Sequence, residues 1–288
     1  MPEDFNPADH AMPRLRAERY CGLVFATFSE NAPPLSQYLG ATMRENIERV
    51  LGRKLTMLGF YVQAMPNNWK LYVENNREPY HASLLHLFQA TFKLNRLSME
   101  GGIKLSDDGL HHISYSKAAK DADDGEYSAD KLRSVSDGYT LNDPSLIAKW
   151  DEYPCGTTLA IQTIFPNFVV QQISNSIAVR LCLPKGPEQC ELLWWILGTE
   201  EDSLKQRDMR VRQSNMVGPG GVISMEDGVV GGWIQRATRE DKDERSLVEM
   251  GGRDFAPIPN NRVTEVAVRS FWRAWRDCVS TGRRKVLP

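Results

Sequence analysis

Three apolar runs, Leu159–Ile164, Ile177–Leu183 and Leu192–Leu197, lie between Thr157 and Thr199, and they constrain the fold more than any other feature of the chain. Each is rich in β-branched or aromatic residues, and turn-forming residues separate them. Short runs spaced this closely suit adjacent antiparallel strands. Residues 55–63, 91–98 and 111–117 also read as strands. Helical period occurs on both sides of this block. Leu35, Tyr38, Leu39, Met43, Ile47, Val50 and Leu51 recur at helical spacing and stop at Gly52. A charged helix is expected over 201–216. The stretch Thr264–Val279 puts Val268, Phe271, Trp272, Trp275 and Val279 on one stripe, with Arg269, Arg273 and Arg276 mostly opposite. Aromatic and basic residues so interleaved can mark a nucleic-acid surface, but the helical period points to a core helix with an arginine-rich outer face. Runs of strands with segregated helices predict an α+β fold. The segment Lys120–Gly138, rich in Asp, Gly, Ser and Lys, predicts a mobile surface loop placed to cover a pocket mouth.

A chain of 288 residues buries a sizeable core, as one large domain or as one domain plus an appendage. A formal net charge of −2 gives no reason to expect nucleic acid or a membrane surface as partner. No apolar run approaches the roughly 20 residues that span a bilayer. The polar, acidic N-terminus is unlike a secretory signal. Cys21, Cys155, Cys182, Cys190 and Cys278 are scattered and odd in number, which reads as mostly buried thiols in a reducing cytoplasm.

The chemistry concentrates between Asn68 and His86, where two of the five histidines follow a carboxylate, Glu78. Neutral imidazole is the commonest metal ligand, and a nearby carboxylate can orient it. His81 and His86 are five apart, so an ideal helix would leave them roughly 140° apart around its axis. The H-E-x-x-H pattern of zinc proteases is absent. Both rings reach one metal only if the segment starts irregularly or carries a local bulge. Pro79 favours such a start, because it fits a first helical turn and biases Glu78 away from helical angles. The plainer alternative is two ordinary histidines near a helix start, one buried and hydrogen-bonded, one exposed. Spacing alone does not choose between them.

The whole string resembles the ligand segment of the catalytic large subunit of the Rieske-type aromatic-ring-hydroxylating oxygenases. That family reads N-W-K, then E-N, then D-x-Y-H-x-x-x-x-H. Asn68-Trp69-Lys70, Glu74-Asn75 and Tyr80-His81 with His86 match it. The wording P-Y-H-A-S-L-L-H is similar to enzymes acting on salicylate, anthranilate and terephthalate. One position departs: Glu78 stands where the family has Asp, keeping the charge on a longer arm. The resemblance implies a third ligand in a G-P-x-G segment followed by two adjacent acids. Gly218-Pro219-Gly220-Gly221 and then Glu226-Asp227 supply it, with Asp227, the second acid, as the ligand and Glu226 as its neighbour.

On this resemblance His81, His86 and Asp227 hold Fe(II), and a curved antiparallel sheet grips a long C-terminal helix. Asn75 is the polar group beside the iron, and Val217 and Ile223 line the substrate pocket. The substrates implied are dioxygen and an aromatic acid. An aromatic carboxylate needs a cation or donor; Arg180, in a predicted strand, is one candidate, against the plainer reading of a surface or salt-bridged strand residue. Electrons from NADH would come through a reductase or ferredoxin and a Rieske [2Fe–2S] cluster on a neighbouring subunit of a trimer, with or without a small β subunit. Glu78 would relay between the two centres.

Such a cluster takes two Cys and two His, arranged in this family as C-x-H and C-x-x-H. Neither pattern occurs in the sequence. The chain is therefore expected to correspond to the catalytic part alone. Residues 1–34 would be the remnant of a Rieske-domain exit segment, since Leu15–Phe28 resembles the strand that leaves that domain. Residues 35–288 would be the catalytic domain. Met1 is then an internal methionine of a longer protein or the start of a truncated gene. Three readings stay open at this point. The chain is an aromatic-acid oxygenase component, a catalytically silent or structural subunit that keeps the fold, or a small-molecule-binding grip domain without redox activity. Iron content separates the third reading from the first two, and product formation separates those two from each other.

Overall fold

The computed structural model describes residues 1–2, 4–118, 139–241 and 243–286; the loop expected at 120–138 lies outside the described residues. A two-stranded hairpin, β1 (Arg16–Tyr20) and β2 (Leu23–Thr27), precedes helix α1 (Leu35–Leu51). The Leu15–Phe28 stretch is thus two strands rather than one. Cys21 and Gly22 both take positive φ (46° and 80°), and that backbone geometry suits a tight two-residue hairpin turn. Helix α1 covers the expected residues but is kinked at Gly40, whose φ of 71° a side chain would resist.

Among the described residues seven antiparallel strands form the main sheet: β3 (Leu55–Met65), β4 (Gly101–Leu105), β5 (His112–Lys117), β6 (Thr157–Ile164), β7 (Phe168–Ile173), β8 (Ser176–Pro184) and β9 (Cys190–Thr199). Their order is β3-β9-β8-β7-β6-β5-β4, so the α+β expectation of an antiparallel sheet holds. Two readings of the sequence need correction. Residues 91–98 are not a strand: they are a run of turns after a short helix, in which Arg96 Nε bonds the Ala90 carbonyl and Gln89 accepts from Leu94 and Asn95 through its own carbonyl. Strand β7 was not expected, because Gln171 and Gln172 break the apolar run. Both are nevertheless buried, and Gln172 bonds the Thr157 and Ser174 carbonyls.

Strand alternation sends successive residues to opposite faces. Ile177 and Val179 of β8 pack with α1 residues Leu39, Met43 and Ile47 on one face. Ala178 and Cys182 of β8, with Leu192, Trp194 and Ile196 of β9, pack on the other. There they meet α2 (Trp69–Arg77) through Trp69, Tyr72 and Val73, and α7 (Val266–Val286) through Phe271. Burying a side chain such as Phe271 stabilises the clamp by about 1.5–3 kcal/mol. The C-terminal helix therefore grips this face as expected, with two differences. Trp272 is about a third exposed and donates its indole N–H to Glu74, and Arg269 faces a loop whose carbonyls at Val248, Met250 and Asp254 it caps.

Among the described residues the remaining α-helices are α3 (His81–Leu85), α4 (Leu87–Thr91), α5 (Leu204–Val217) and α6 (Ser224–Glu240). All five cysteines are free, but only Cys182 and Cys190 are buried; Cys155 and Cys278 are exposed. Among the described residues no helix is long and apolar enough to cross a membrane.

Candidate metal centre

Local chemistry breaks the helical path between Asn68 and His86 twice. The Asn68 side chain caps α2 by accepting from the Lys70 N–H at 3.0 Å. Glu78, ahead of Pro79, takes extended angles (φ −119°, ψ 100°) and ends the helix. Helix α3 then runs only from His81 to Leu85. His86 sits at φ −85°, ψ 77°, outside helical space, before α4 restarts at Leu87. This interruption cancels the 140° separation that a continuous helix would impose. The two rings end 5.3 Å apart, centroid to centroid.

The opposing carboxylate comes from the first turn of α6. Asp227 Oδ1 lies 3.7 Å from His81 Nε2 and 3.4 Å from His86 Nε2. One ligand atom from each of the three residues falls within 4.8 Å of the others, as a single metal ion requires. Asn75 on α2 joins them, donating to Asp227 Oδ1 at 3.0 Å and lying 3.4 Å from His81 Nε2. The donor set of two imidazoles and one carboxylate suits a borderline divalent ion and leaves coordination positions open.

The other imidazole nitrogens point away and are held. His81 Nδ1 donates to the Glu78 carbonyl at 2.6 Å and lies 3.2 Å from Glu78 Oε2, while Glu78 Oε1 accepts the His81 backbone N–H at 2.6 Å. The longer arm of Glu78 folds back over its own turn and still makes close bonds. His86 Nδ1 lies 2.7 Å from Glu226 Oε2. Burial pulls the His81 pKa down, but the hydrogen bond and charge of Glu78, with Asp227 behind it, outweigh burial and leave it raised. Asp227 is held below the usual carboxylate range: burial works against its charge, and His86, His81 and Asn75 overcome that.

Comparison with known proteins decides the family. The family model described as ring hydroxylating alpha subunit, catalytic domain, matches residues 46–281. The chain belongs to that family. It is 47% identical over 276 residues to the alpha 2 subunit of the terminal oxygenase component of terephthalate 1,2-dioxygenase from Comamonas sp, covering 96% of this chain and 67% of the relative. It is 41% identical to the large subunit of anthranilate 1,2-dioxygenase from Burkholderia cepacia, covering 94% and 64%. The chain thus spans about two thirds of the length of these relatives. Among solved structures, naphthalene 1,2-dioxygenase from Rhodococcus sp., bound to indole, superposes with a TM-score of 0.71 at 18% identity, over 92% of this chain and 66% of that one, and so shares the fold.

In this member of the family the cluster opens onto a pocket between the inner sheet face, α2, α3 and the α5–α6 junction. Val217 and Ile223, both expected there, are buried with Leu159 and Ile173 and line it. Arg180 lines it too, and it is neither on the surface nor salt-bridged. It is 4% exposed, donates to Tyr72 Oη and, at 2.8 Å, to Asn76 Oδ1, and stacks over Trp194 at 4.7 Å. Among the described residues no carboxylate lies within 4.0 Å of its guanidinium.

Sequence reasoning missed Ser114, Gln171 and Trp194. With Arg180 they bring buried polar atoms (Ser114 Oγ, Gln171 Nε2, Arg180 Nε and Trp194 Nε1) that have no hydrogen-bond partner among the described residues, and all four residues line this one pocket. Only the period-two alternation of β5, β7, β8 and β9 could have flagged them, as polar residues on an inward face. A larger groove, of about 1240 Å³, lies elsewhere, between the hairpin and the outer sheet face, and none of the three converging ligands lines it.

Proposed function

We propose that this chain is the catalytic, non-haem Fe(II) part of an oxygenase that hydroxylates an aromatic carboxylic acid of the terephthalate, anthranilate or salicylate type. The observation that carries the reading is a single pocket. It combines two imidazoles and a carboxylate converging within 4.8 Å with a buried, carboxylate-free arginine and three further unpaired polar side chains. Unpaired buried polar groups each cost about 1–3 kcal/mol, and four in one place fit an anionic ligand that satisfies them together.

His81, His86 and Asp227 would hold the iron, which supplies the dioxygen chemistry when bound. The chain's own residues do the rest. Arg180, with Gln171, Ser114 and Trp194 beside it, takes the carboxylate, and Val217, Ile223, Leu159 and Ile173 clasp the ring and exclude water. Asn75 fixes Asp227. The space between these side chains is about 50 Å³, a third of the roughly 150 Å³ that accommodates a benzene ring; ring entry therefore displaces lining side chains.

Two electrons must come from outside the chain, by family likeness from NADH through a Rieske cluster carried elsewhere. Glu78, bonded to His81 Nδ1 and about one-sixth exposed, is the link to that source. Residues 1–34 would then be the approach from the cluster-bearing region and 35–288 the catalytic unit. The test is anaerobic reconstitution with Fe(II), then a single turnover with dioxygen and reductant, or with peroxide, against benzoate, salicylate, anthranilate and terephthalate. One iron per chain and a hydroxylated acid are expected. An iron-loaded chain that hydroxylates none of them overturns the oxygenase reading.

A further inference from the structure

Two acids stand side by side at the start of α6, and they address the two nitrogens of one ring. Asp227 Oδ1 is 3.4 Å from His86 Nε2, and Glu226 Oε2 is 2.7 Å from His86 Nδ1. Consecutive helical positions point roughly 100° apart, so the first turn of α6 closes around the imidazole from both sides. We propose that Glu226 is the positioning residue for His86: it accepts a hydrogen bond from Nδ1–H and holds Nε2 as the bare nitrogen turned toward the metal. The proposal rests on the metal-centre reading above.

The two histidines need different solutions. His81 is oriented within its own turn, by the carbonyl and carboxylate of Glu78 three residues before it. The residue three before His86 is Ser83, whose buried Oγ makes no hydrogen bond among the described residues. His86 itself sits at a break between helices, so regular backbone does not fix its ring. Its orientation must come from across the pocket, and Glu226 is the side chain that bonds Nδ1 there. The ring is buried, whereas the Glu226 side chain is 28% exposed; removing that carboxylate leaves no sealed hole in the core. Carboxylate partners of this kind fix the tautomer and raise the basicity of a ligating imidazole. On this view α6 contributes a ligand and also orients one of the two rings that share the ion with it.

The test is Co(II) binding to the full 288-residue chain, followed by its visible d–d absorption, for wild type, Glu226→Ala, Glu226→Gln and His86→Ala, with thermal unfolding of each. Wild type is expected to bind one Co(II), and His86→Ala to lose it. Glu226→Ala should bind about 10- to 100-fold more weakly with a Tm close to wild type. Glu226→Gln, which keeps an acceptor oxygen, should recover most of the loss. In the Zn(II) form, ¹⁵N spectra should show His86 protonated on Nδ1 in wild type and in Glu226→Gln. Undiminished Co(II) affinity in a folded Glu226→Ala, or Glu226→Gln as weak as Glu226→Ala, overturns the proposal while the metal centre stands. Wild type that binds no Co(II) instead overturns the metal-centre reading beneath it.

Discussion

Replacing Arg180 by Met removes the pocket's candidate carboxylate partner while keeping much of the stem that packs on Trp194. Arg180 is 4% exposed and bonded only to neutral groups, Tyr72 Oη and Asn76 Oδ1. An incoming carboxylate would meet an almost fully desolvated guanidinium. Truncating one member of such a buried charge pair costs about 2–5 kcal/mol, or roughly 30- to 5000-fold in Kd. The chain itself should change little. Losing two hydrogen bonds to a charged donor costs about 1.5–3 kcal/mol each, and relieving a desolvated cation returns several kcal/mol.

The assay is calorimetric binding of an aromatic acid and its primary amide to wild type and Arg180→Met, both loaded with Zn(II). The acid should lose the full factor and the amide less than about fivefold, a coupling of at least about 1 kcal/mol between the arginine and the carboxylate. Arg180→Lys should fall between, since it keeps a charge but loses the planar fork. If acid and amide weaken equally, Arg180 only shapes the pocket through its stack on Trp194, and the reasoning fails.

Three further outcomes are expected. His81→Ala and Asp227→Ala should each drop bound iron from one per chain to near zero by elemental analysis, with retained circular dichroism, because two remaining ligands hold a divalent ion poorly. Metal affinity should decline as pH falls below the raised pKa of His81, since its proton competes with the ion. Glu78→Gln removes the main group raising that pKa and should move the midpoint of a Co(II) titration to lower pH; an unmoved or higher midpoint contradicts this. Asp202 is buried between Arg210 (2.7 and 2.9 Å) and the Thr199 N–H (2.7 Å), and these bonds outweigh burial and pull its pKa from 3.8 to about 2. That shift makes the ionised form worth about 2 kcal/mol, fully present above pH 3.8 and lost as pH falls through 2. Asp202→Asn should therefore be less stable than wild type in urea at pH 7, and the gap should close toward pH 2.

What the sequence disclosed, and what it withheld, follows from the range of each interaction. Local period marked α1, β8, β9 and the C-terminal helix, because one apolar face against one core writes itself into a single window of residues. The 91–98 segment defeated that logic: Phe92 and Leu94 alternate with polar neighbours like a strand, yet Arg96 and the Gln89 carbonyl hold the chain in turns. Strand β7 hid for the opposite reason, its two glutamines being polar and yet buried. At the centre, Glu78, His81 and His86 were legible as a cluster in one segment. Their convergence required a break at His86 that spacing could demand but not locate.

The long-range members divide in the same way. Asp227 was reachable through a motif 141 residues beyond His86, whereas Glu226 read only as the acid next to the right one. Its bond to His86 Nδ1 spans 140 residues and depends on how α6 lies against the α3–α4 break. Ser114, Gln171, Arg180 and Trp194 come from four strands, and only the register that pairs Arg180 with Trp194 and folds β5 and β7 beside them brings them to one pocket. The proposed metal ligands thus come from two sequence segments. The proposed recognition of the acid depends instead on the sheet, so substitutions that slip its register should impair acid binding before they impair metal binding.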